Sequence, residues 1–182
     1  VLPKDYPELD FTRMNIFLLE GAEKTLAAMR EKSSRRSGEY LEKLGVKLMT
    51  KTLVKNYDGQ EVELNTGEKI PAATVIWAAG IKGNIPGGID KSLIARGNRI
   101  KTDRYCRVQG FDNVYAIGDL AYMETPAYPN GHPQVAPAAM QQAGMLASNL
   151  RLIEKKSDTA RLTQFEYRDK GSMATVGRNL AV

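Results

Sequence analysis

The stretch Asn113-Val114-Tyr115-Ala116-Ile117-Gly118-Asp119 runs from a short apolar segment into a Gly-Asp pair. That order predicts a buried strand which delivers one carboxylate to the carboxyl edge of a sheet. Glycine at the strand end lets another backbone or a ligand come close. Asp119 can then accept from a sugar or ribitol hydroxyl, the plain alternative being an Asp that caps a turn.

Working outward, the neighbouring segments predict an α/β chain. Upstream, Arg99–Thr102 reads as a short strand, preceded by a loop rich in Gly83, Pro86, Gly87 and Gly88. Thr74–Gly80 reads as a second buried strand, and its small end, Ala78-Ala79-Gly80, admits a ligand or a plain strand-to-loop turn. A three-strand meander feeds it, with alternation over Val46–Thr50 and Glu61–Leu64, an extended Lys51–Tyr57, and turns at Asp58-Gly59 and Asn65–Glu68. Residues 22–44 read as helix in two pieces, the first supported by Leu26 and Met29, the second by Tyr40, Leu41 and Leu44, with Gly45 as the stop. Met14–Glu20 reads as a buried strand and residues 1–13 as a loop. Downstream, residues 122–133 read as a loop with Pro126, Pro129 and Pro133, and a long helix is expected from Ala136 to Lys155, with Pro137 in its first turn. Residues 162–176 read as a β segment around a turn at Asp169-Lys170-Gly171, and Gly177–Val182 as a tail without a closing element.

Composition narrows the classes. Of 182 residues, 42% are hydrophobic and 26% charged, which excludes a disordered chain. The longest mostly apolar run, Thr74–Ile81, is far below the ~20 residues that span a bilayer. Cys106 is the one cysteine and His132 the one histidine, so an internal disulfide, a multi-cysteine zinc site and a His-built metal centre are all excluded. Cys106 reads as a small residue of the Arg104–Val108 stretch, and His132, between Gly131 and Pro133, as a surface loop residue. The net charge of +5 is concentrated between Arg96 and Arg107, where five basic residues meet only Asp103. This patch reads as a solvated loop and strand edge. Nucleic acid is not favoured as a partner, since neither an aromatic series nor a helix-turn-helix pattern accompanies it.

Two further positions carry chemistry. Glu20 ends a strand and precedes Gly21. In dinucleotide-binding βαβ units an acid at that place accepts from the adenosine ribose hydroxyls and repels a 2′-phosphate, whereas the bland alternative is a surface acid. No G-x-G-x-x-G precedes it anywhere in the chain. The helix that starts near Ala136 offers free N–H groups and a positive dipole end to developing negative charge, such as that on N1 and O2 of a reduced flavin. Gln141 and Gln142 lie one turn further in, where ordinary helix-surface glutamine is the alternative.

In order, Glu20, Trp77-Ala78-Ala79-Gly80-Ile81-Lys82-Gly83, Tyr115–Ala121, Val135-Ala136-Pro137-Ala138-Ala139-Met140-Gln141-Gln142 and Gly171-Ser172-Met173-Ala174-Thr175-Val176-Gly177-Arg178 resemble the type II, non-proton-pumping NADH:quinone oxidoreductases. The resemblance covers nearly the whole chain. The Gly-Asp pair is shared with the wider superfamily of flavoproteins with two dinucleotide-binding domains, while the glutamine helix and the Gly-Ser-Met-Ala-Thr-Val-Gly-Arg tail are more specific. It implies partial Rossmann-like domains, an FAD cofactor, NADH as substrate and a membrane quinone as electron acceptor. By carry-over, Gly118, Asp119, Leu120, Val135 and Ala136 would hold FAD; Glu20, Ala79 and Gly80 would bind NADH; and Pro137, Gln141 and Gln142 would form the quinone site. No metal is implied. The parent would sit peripherally on the cytoplasmic face of the cell membrane, anchored through regions outside this chain.

The chain departs from the family pattern in two ways. The quinone motif Ala-Gln-x-x-x-Gln has Pro137 at its second position and keeps Gln141 at its last. The glycine motifs for FAD and NADH are expected upstream of Val1 and the anchoring helices beyond Val182, so the expectation is an internal fragment truncated at both ends. Its parts would be residues 1–80, the second half of the NADH domain; 81–156, the returning FAD segment; and 157–182, the start of a C-terminal domain. Cys106 alone cannot supply the paired thiols of disulfide reductases or the cysteines of sulfide:quinone oxidoreductases. A fragment inactive by itself is expected. The alternatives are a non-catalytic folded module that self-associates, for instance as a homodimer through an open sheet edge, and a basic nucleic-acid-binding module.

Overall fold

The computed structural model describes residues 2–155 and 161–182, and its fold is α/β. The chain divides into two compact units, one formed by the residues up to Trp77 together with Gly171–Val182, the other by Ala78–Lys170.

In the first unit a short helix α1 (Leu2–Asp5) and a 3-10 turn (Phe11–Arg13) occupy the segment read as loop. Asp10 caps that turn by accepting from the Thr12 N–H at 3.0 Å. Strand β1 (Ile16–Leu19), helix α2 (Glu31–Lys43) and strand β2 (Val46–Met49) then form a βαβ unit. The strands run parallel, from Ile16 opposite Val46 to Leu19 opposite Met49. Gly45 stops α2 at φ +83°, its N–H donating to the Glu42 carbonyl at 2.9 Å. β1 is not the buried strand its sequence suggests: Ile16, Phe17 and Leu18 are each more than a third exposed. Among the described residues β1 pairs only with β2; the Lys47 ammonium lies over the Phe17 ring, 5.0 Å from its centre, and Leu19 alone joins an apolar cluster of buried residues.

The first helical piece expected within residues 22–44 is also absent. Residues 21–29 are bends and turns, with Leu26 at φ +51°. Hydroxyl groups explain the departure. Ser34 Oγ donates to the Thr25 carbonyl at 2.5 Å, and Thr25 Oγ1 pairs with Ser37 Oγ at 2.5 Å. All three residues are buried, so the segment is pinned to α2 at Thr25, through its carbonyl and its hydroxyl, in competition with a helical ladder.

The meander is β3 (Val54–Tyr57), β4 (Glu61–Leu64) and β5 (Lys69–Pro71), antiparallel throughout. Asp58 Oδ1 accepts from the N–H groups of Gln60 and Glu61 at 2.8 Å each, which closes the first turn. Val62, Leu64 and Ile70 are buried there, packed by Leu19, Met49 and Val75. The expected strand over Thr74–Gly80 does not form. Ile76 is 86% and Trp77 68% exposed. Among the described residues no ladder partner lies along this run, and an unpaired apolar segment gains nothing by extending into a sheet.

The second unit is built on β6 (Ile94–Ala95), β7 (Arg99–Thr102) and β8 (Ala121–Met123), followed by helix α3 (Ala136–Glu154). β7 pairs antiparallel with β6 and parallel with β8. β8 occupies the start of the segment read as loop. Asn113–Ile117 is held not as a strand but by one bridge, Arg107 opposite Tyr115, and by the Ala116 N–H donating to the Cys106 carbonyl at 3.0 Å. Ala116 is nevertheless buried, with Ile100, Val108 and Ala121. A second cluster joins Cys106, Met123 and Phe165.

The basic stretch is not simply a solvated edge. Arg99 is 6% exposed; its Nε and Nη2 donate to the Ala121 carbonyl, and Nη2 also to the His132 carbonyl. His132 is likewise buried rather than on the surface, its Nδ1 at 2.9 Å from the Met123 carbonyl and its ring against Tyr128, Phe165 and Tyr167.

The remaining strands are β9 (Thr175–Val176) and β10 (Leu180–Ala181), an antiparallel pair belonging to the first unit. The tail therefore does carry a closing element. Residues 162–174 form no strand, and the turn expected at Asp169–Gly171 joins no strands. The expected β segment also lies close to residues 156–160, which fall outside the described residues together with the 156/157 boundary expected between domains.

Candidate functional site

Gly118 begins a 3-10 turn, Gly118–Leu120, that leads into β8. Its φ of +64° lies in the left-handed region that other residues enter only with strain. A Cβ there would stand 3.2 Å from the Cβ of Ala139 in α3. The N–H of Gly118 donates to Gln142 Oε1 at 2.6 Å. The turn thus meets α3 at two residues three apart, which share one helix face.

Asp119 is exposed, and its carboxylate accepts no hydrogen bond among the described residues, while its charge acts on Arg99. Its backbone carbonyl accepts from Gln134 Nε2 at 3.0 Å. Leu120 points into the core around Ile100 instead. Val135 is the N-cap of α3, and its carbonyl takes the N–H groups of Ala138 and Ala139. Pro137 has no N–H to offer. The N–H of Ala136 therefore remains as the donor of the first turn with no partner among the described residues. No side chain caps this end and no acid lies in its first turn, so its positive dipole end is uncompensated.

The two glutamines are not surface residues that point one way. Gln142 is 2% exposed and faces Gly118. Gln141 turns to residue 168: Nε2 donates to the Arg168 carbonyl and Oε1 accepts the Arg168 N–H, both at 3.0 Å. Asn149 repeats that pattern on Thr163, with distances of 2.8 and 2.9 Å. Gln134, Ala139 and Asn149 were not picked out by sequence reasoning. The available signal was the helical spacing of Gln142 and Asn149, seven residues apart on one face.

In the first unit, Glu20 follows β1 and extends its ladder: its N–H donates to the Met49 carbonyl at 2.9 Å, and its own carbonyl accepts from Thr52 at 3.0 Å. Glu20 Oε1 accepts the Ala22 N–H at 2.8 Å. Oε2 has no hydrogen-bond partner among the described residues. Ala79 and Gly80 belong to the second unit and are exposed. A cleft of about 360 Å³ in that unit shares Gln134 with the flank of the Gly-Asp turn and is lined by Arg96, Arg99, Asn130 and His132. Cys106 is fully buried, and burial pushes its thiol up to about 12, with Asp103 adding to the effect. Such a thiol is not a nucleophile at neutral pH. Among the described residues no cluster could hold a metal ion.

Residues 10–143 match the family described as pyridine nucleotide-disulphide oxidoreductase. The type II NADH:quinone oxidoreductase Ndh of Mycobacterium tuberculosis is 32% identical over 97% of this chain and 39% of its own length. The type II NADH:quinone oxidoreductase of Staphylococcus aureus is 32% identical over 93% of this chain and 42% of its own. The chain thus spans about two fifths of these relatives. Among solved structures, NDH2 from Plasmodium falciparum in complex with NADH superposes with a TM-score of 0.79 at 17% identity, covering 99% of this chain and 51% of that one. An NAD-dependent persulfide reductase from A. fulgidus superposes with a TM-score of 0.70 at 21% identity, covering 90% of this chain and 30% of that one. The structural likenesses establish a Rossmann-like fold, and the match over residues 10–143 establishes that the chain belongs to the pyridine nucleotide-disulphide oxidoreductase family.

Proposed function

We propose that this chain is part of an FAD-dependent oxidoreductase that takes hydride from NADH and passes electrons to a membrane quinone. The observation that carries the reading is the Gly118–Asp119 turn seated on the start of α3, with the Asp119 carboxylate and the Ala136 N–H making no hydrogen bond among the described residues. One acceptor and one donor, set on a single rigid support, suit a ligand that presents hydroxyls and carbonyls. FAD, when bound, supplies the two-electron centre between NADH and quinone.

Asp119 would accept from the ribitol hydroxyls, with Gly118 allowing close approach. Leu120 would back the turn from the core, and Val135 would lie beside the ring. Ala136 and the dipole end of α3 would stabilise negative charge on the reduced ring. Glu20 would hold the adenosine ribose of NADH through Oε2 and repel a 2′-phosphate. Ala79 and Gly80, lacking bulk, would admit the nicotinamide. The quinone site is assigned to Pro137, Gln141 and Gln142. Because both carboxamide oxygens already accept backbone N–H groups, Pro137 is the residue of the three that can offer a purely apolar contact.

The buried, protonated Cys106 favours this reading over thiol-disulfide exchange. The assignment of residues 1–80 to an NADH domain, 81–156 to an FAD domain and 157–182 to a C-terminal domain belongs to the same proposal. So do peripheral attachment to the cytoplasmic face of the membrane, a role in the respiratory chain, and inactivity of the isolated chain. No helix among the described residues is long and apolar enough to cross a membrane.

The test is NADH:menadione reduction by the FAD-loaded protein that carries this sequence, beside the 182-residue chain with added FAD. Turnover by the former and none by the latter is expected. No NADH oxidation by the loaded protein would overturn the reading. Turnover by the short chain would overturn the inactivity claim. The exposed Ile16, Phe17 and Leu18 of β1 favour a second reading for the isolated chain, self-association by strand pairing along that edge. A concentration-dependent dimer in sedimentation, abolished by F17K, is its expected sign.

A further inference from the structure

We infer that Gln142 is the positioning residue of the Gly118–Asp119 turn, fixing where the Asp119 carboxylate stands relative to the free end of α3. The inference rests on the flavin reading above and deepens it.

A buried carboxamide is costly unless its oxygen and nitrogen find partners. Gln142 is 2% exposed on the face of α3 that also buries Ala138 and Asn149. Its oxygen takes the Gly118 N–H at 2.6 Å, across 24 residues of sequence. Gly118 needs that acceptor. Its positive φ puts it outside any regular ladder, and its N–H would otherwise be left unpaired against the helix.

Four restraints then act within residues 118–121. Ala139 limits the approach of Gly118, with 3.2 Å left to a Cβ. Gln142 sets the rotation of the turn about that contact. Gln134 holds the carbonyl of Asp119 at 3.0 Å, and Ala121 is fixed by its register with Ile100. What remains projecting is the Asp119 side chain. Gln141, the neighbour in sequence, has both carboxamide atoms committed to Arg168, and Asn149 has both committed to Thr163. Of the three carboxamides, only that of Gln142 bonds the turn that carries Asp119.

Losing the acceptor should therefore loosen the turn without removing any group that touches FAD. The experiment compares Q142L, Q142E and N149L in the protein that carries this chain. Hydrogen exchange in the flavin-free form is read at Gly118 relative to Ile100. Loss of one hydrogen bond should speed Gly118 exchange about tenfold in Q142L. Q142E, which keeps an acceptor oxygen, should hold the wild-type rate. In the loaded form, Q142L should bind FAD about tenfold more weakly and shift its visible absorption, since a freed turn no longer preorganises Asp119. Q142E should retain FAD, while N149L should lower stability and leave both readouts unmoved.

Unchanged Gly118 exchange in Q142L overturns the proposal. So does an equal loss of FAD in Q142L and N149L, which would mean packing alone. If Q142L does not fold, a folded Q142E with unprotected Gly118 or no FAD overturns it equally. Wild-type protein that takes up no FAD would sink the flavin reading instead, and the exchange comparison alone would then decide whether Gln142 holds the turn.

Discussion

The guanidinium of Arg99 donates to the backbone carbonyl of His132 at 2.9 Å, across 33 residues of sequence. Together with two bonds to the Ala121 carbonyl, this ties β7, β8 and the loop before α3 at one buried cation. The Tyr122 ring lies against the same group, 5.3 Å from its centre. Replacing Arg99 by Met should leave two carbonyls unsatisfied and cost about 2–4 kcal/mol, since hydrogen bonds from charged donors contribute more than neutral ones. Urea unfolding monitored by circular dichroism checks this. A midpoint unchanged in R99M would show that the carbonyls find water instead.

His132 gives the fold a pH dependence. Burial, the largest cause, holds its imidazole below the ordinary value of 6.5, and Arg99 and Arg104 act the same way, while the Met123 carbonyl and Glu166 oppose them. The folded state therefore binds this proton less readily than the unfolded chain. The neutral ring's contribution is complete above about 6.5, the ordinary value, and is lost as pH falls through the folded value. The stability difference between wild type and H132Q, measured by urea unfolding from pH 8 to pH 5, should shrink on the acid side. A difference that grows as pH falls would contradict the sign.

Cys106 should be silent to thiol reagents. With no exposed surface and a thiol pushed up to about 12, it presents almost no thiolate at pH 8. Its reaction with a chromogenic disulfide should follow global unfolding, slow in buffer and immediate in denaturant. Rapid stoichiometric labelling of the folded protein would disprove this.

Gly118→Ala should be costly at a single methyl. The left-handed φ and the 3.2 Å approach to Ala139 act together, and the backbone strain alone is worth about 1–2 kcal/mol. Thermal unfolding and flavin retention should both fall. Gly144→Ala, a helix position with open space around it, should be neutral or stabilising on the same instrument.

Glu20→Gln should relax the choice between NADH and NADPH. Removing the negative charge lifts repulsion of a 2′-phosphate, while an amide oxygen still accepts from Ala22. A gain of about tenfold in relative kcat/KM for NADPH is expected, equivalent to about 1.4 kcal/mol. An unmoved ratio would remove Glu20 from the specificity argument.

Local signals in the sequence survived wherever the cause was local. Gly45 stops α2, Asp58-Gly59 turns the meander, Pro137 opens α3, and Arg99–Thr102 is a strand with the expected bounds. The strands that failed, Thr74–Gly80 and Asn113–Ile117, are apolar runs whose extended form depends on a partner ladder, and sequence cannot say whether one is present. Residues 21–29 failed for a related reason, because on another element Ser34 takes the Thr25 carbonyl and Ser37 the Thr25 hydroxyl.

The candidate site divides in the same way. Sequence alone determined that Gly118-Asp119 ends an apolar segment, that Glu20 follows a strand, and that one cysteine and one histidine leave no thiol pair or histidine metal centre. These follow from residue type and near-neighbour order. Tertiary structure decided that Arg99 and His132 are buried, that Gln141 and Gln142 face different backbones, and that the Asp119 carboxylate and the Ala136 N–H make no hydrogen bond among the described residues. Burial and hydrogen-bond partnership join residues tens of positions apart, and no local pattern in the chain records which pairs will meet.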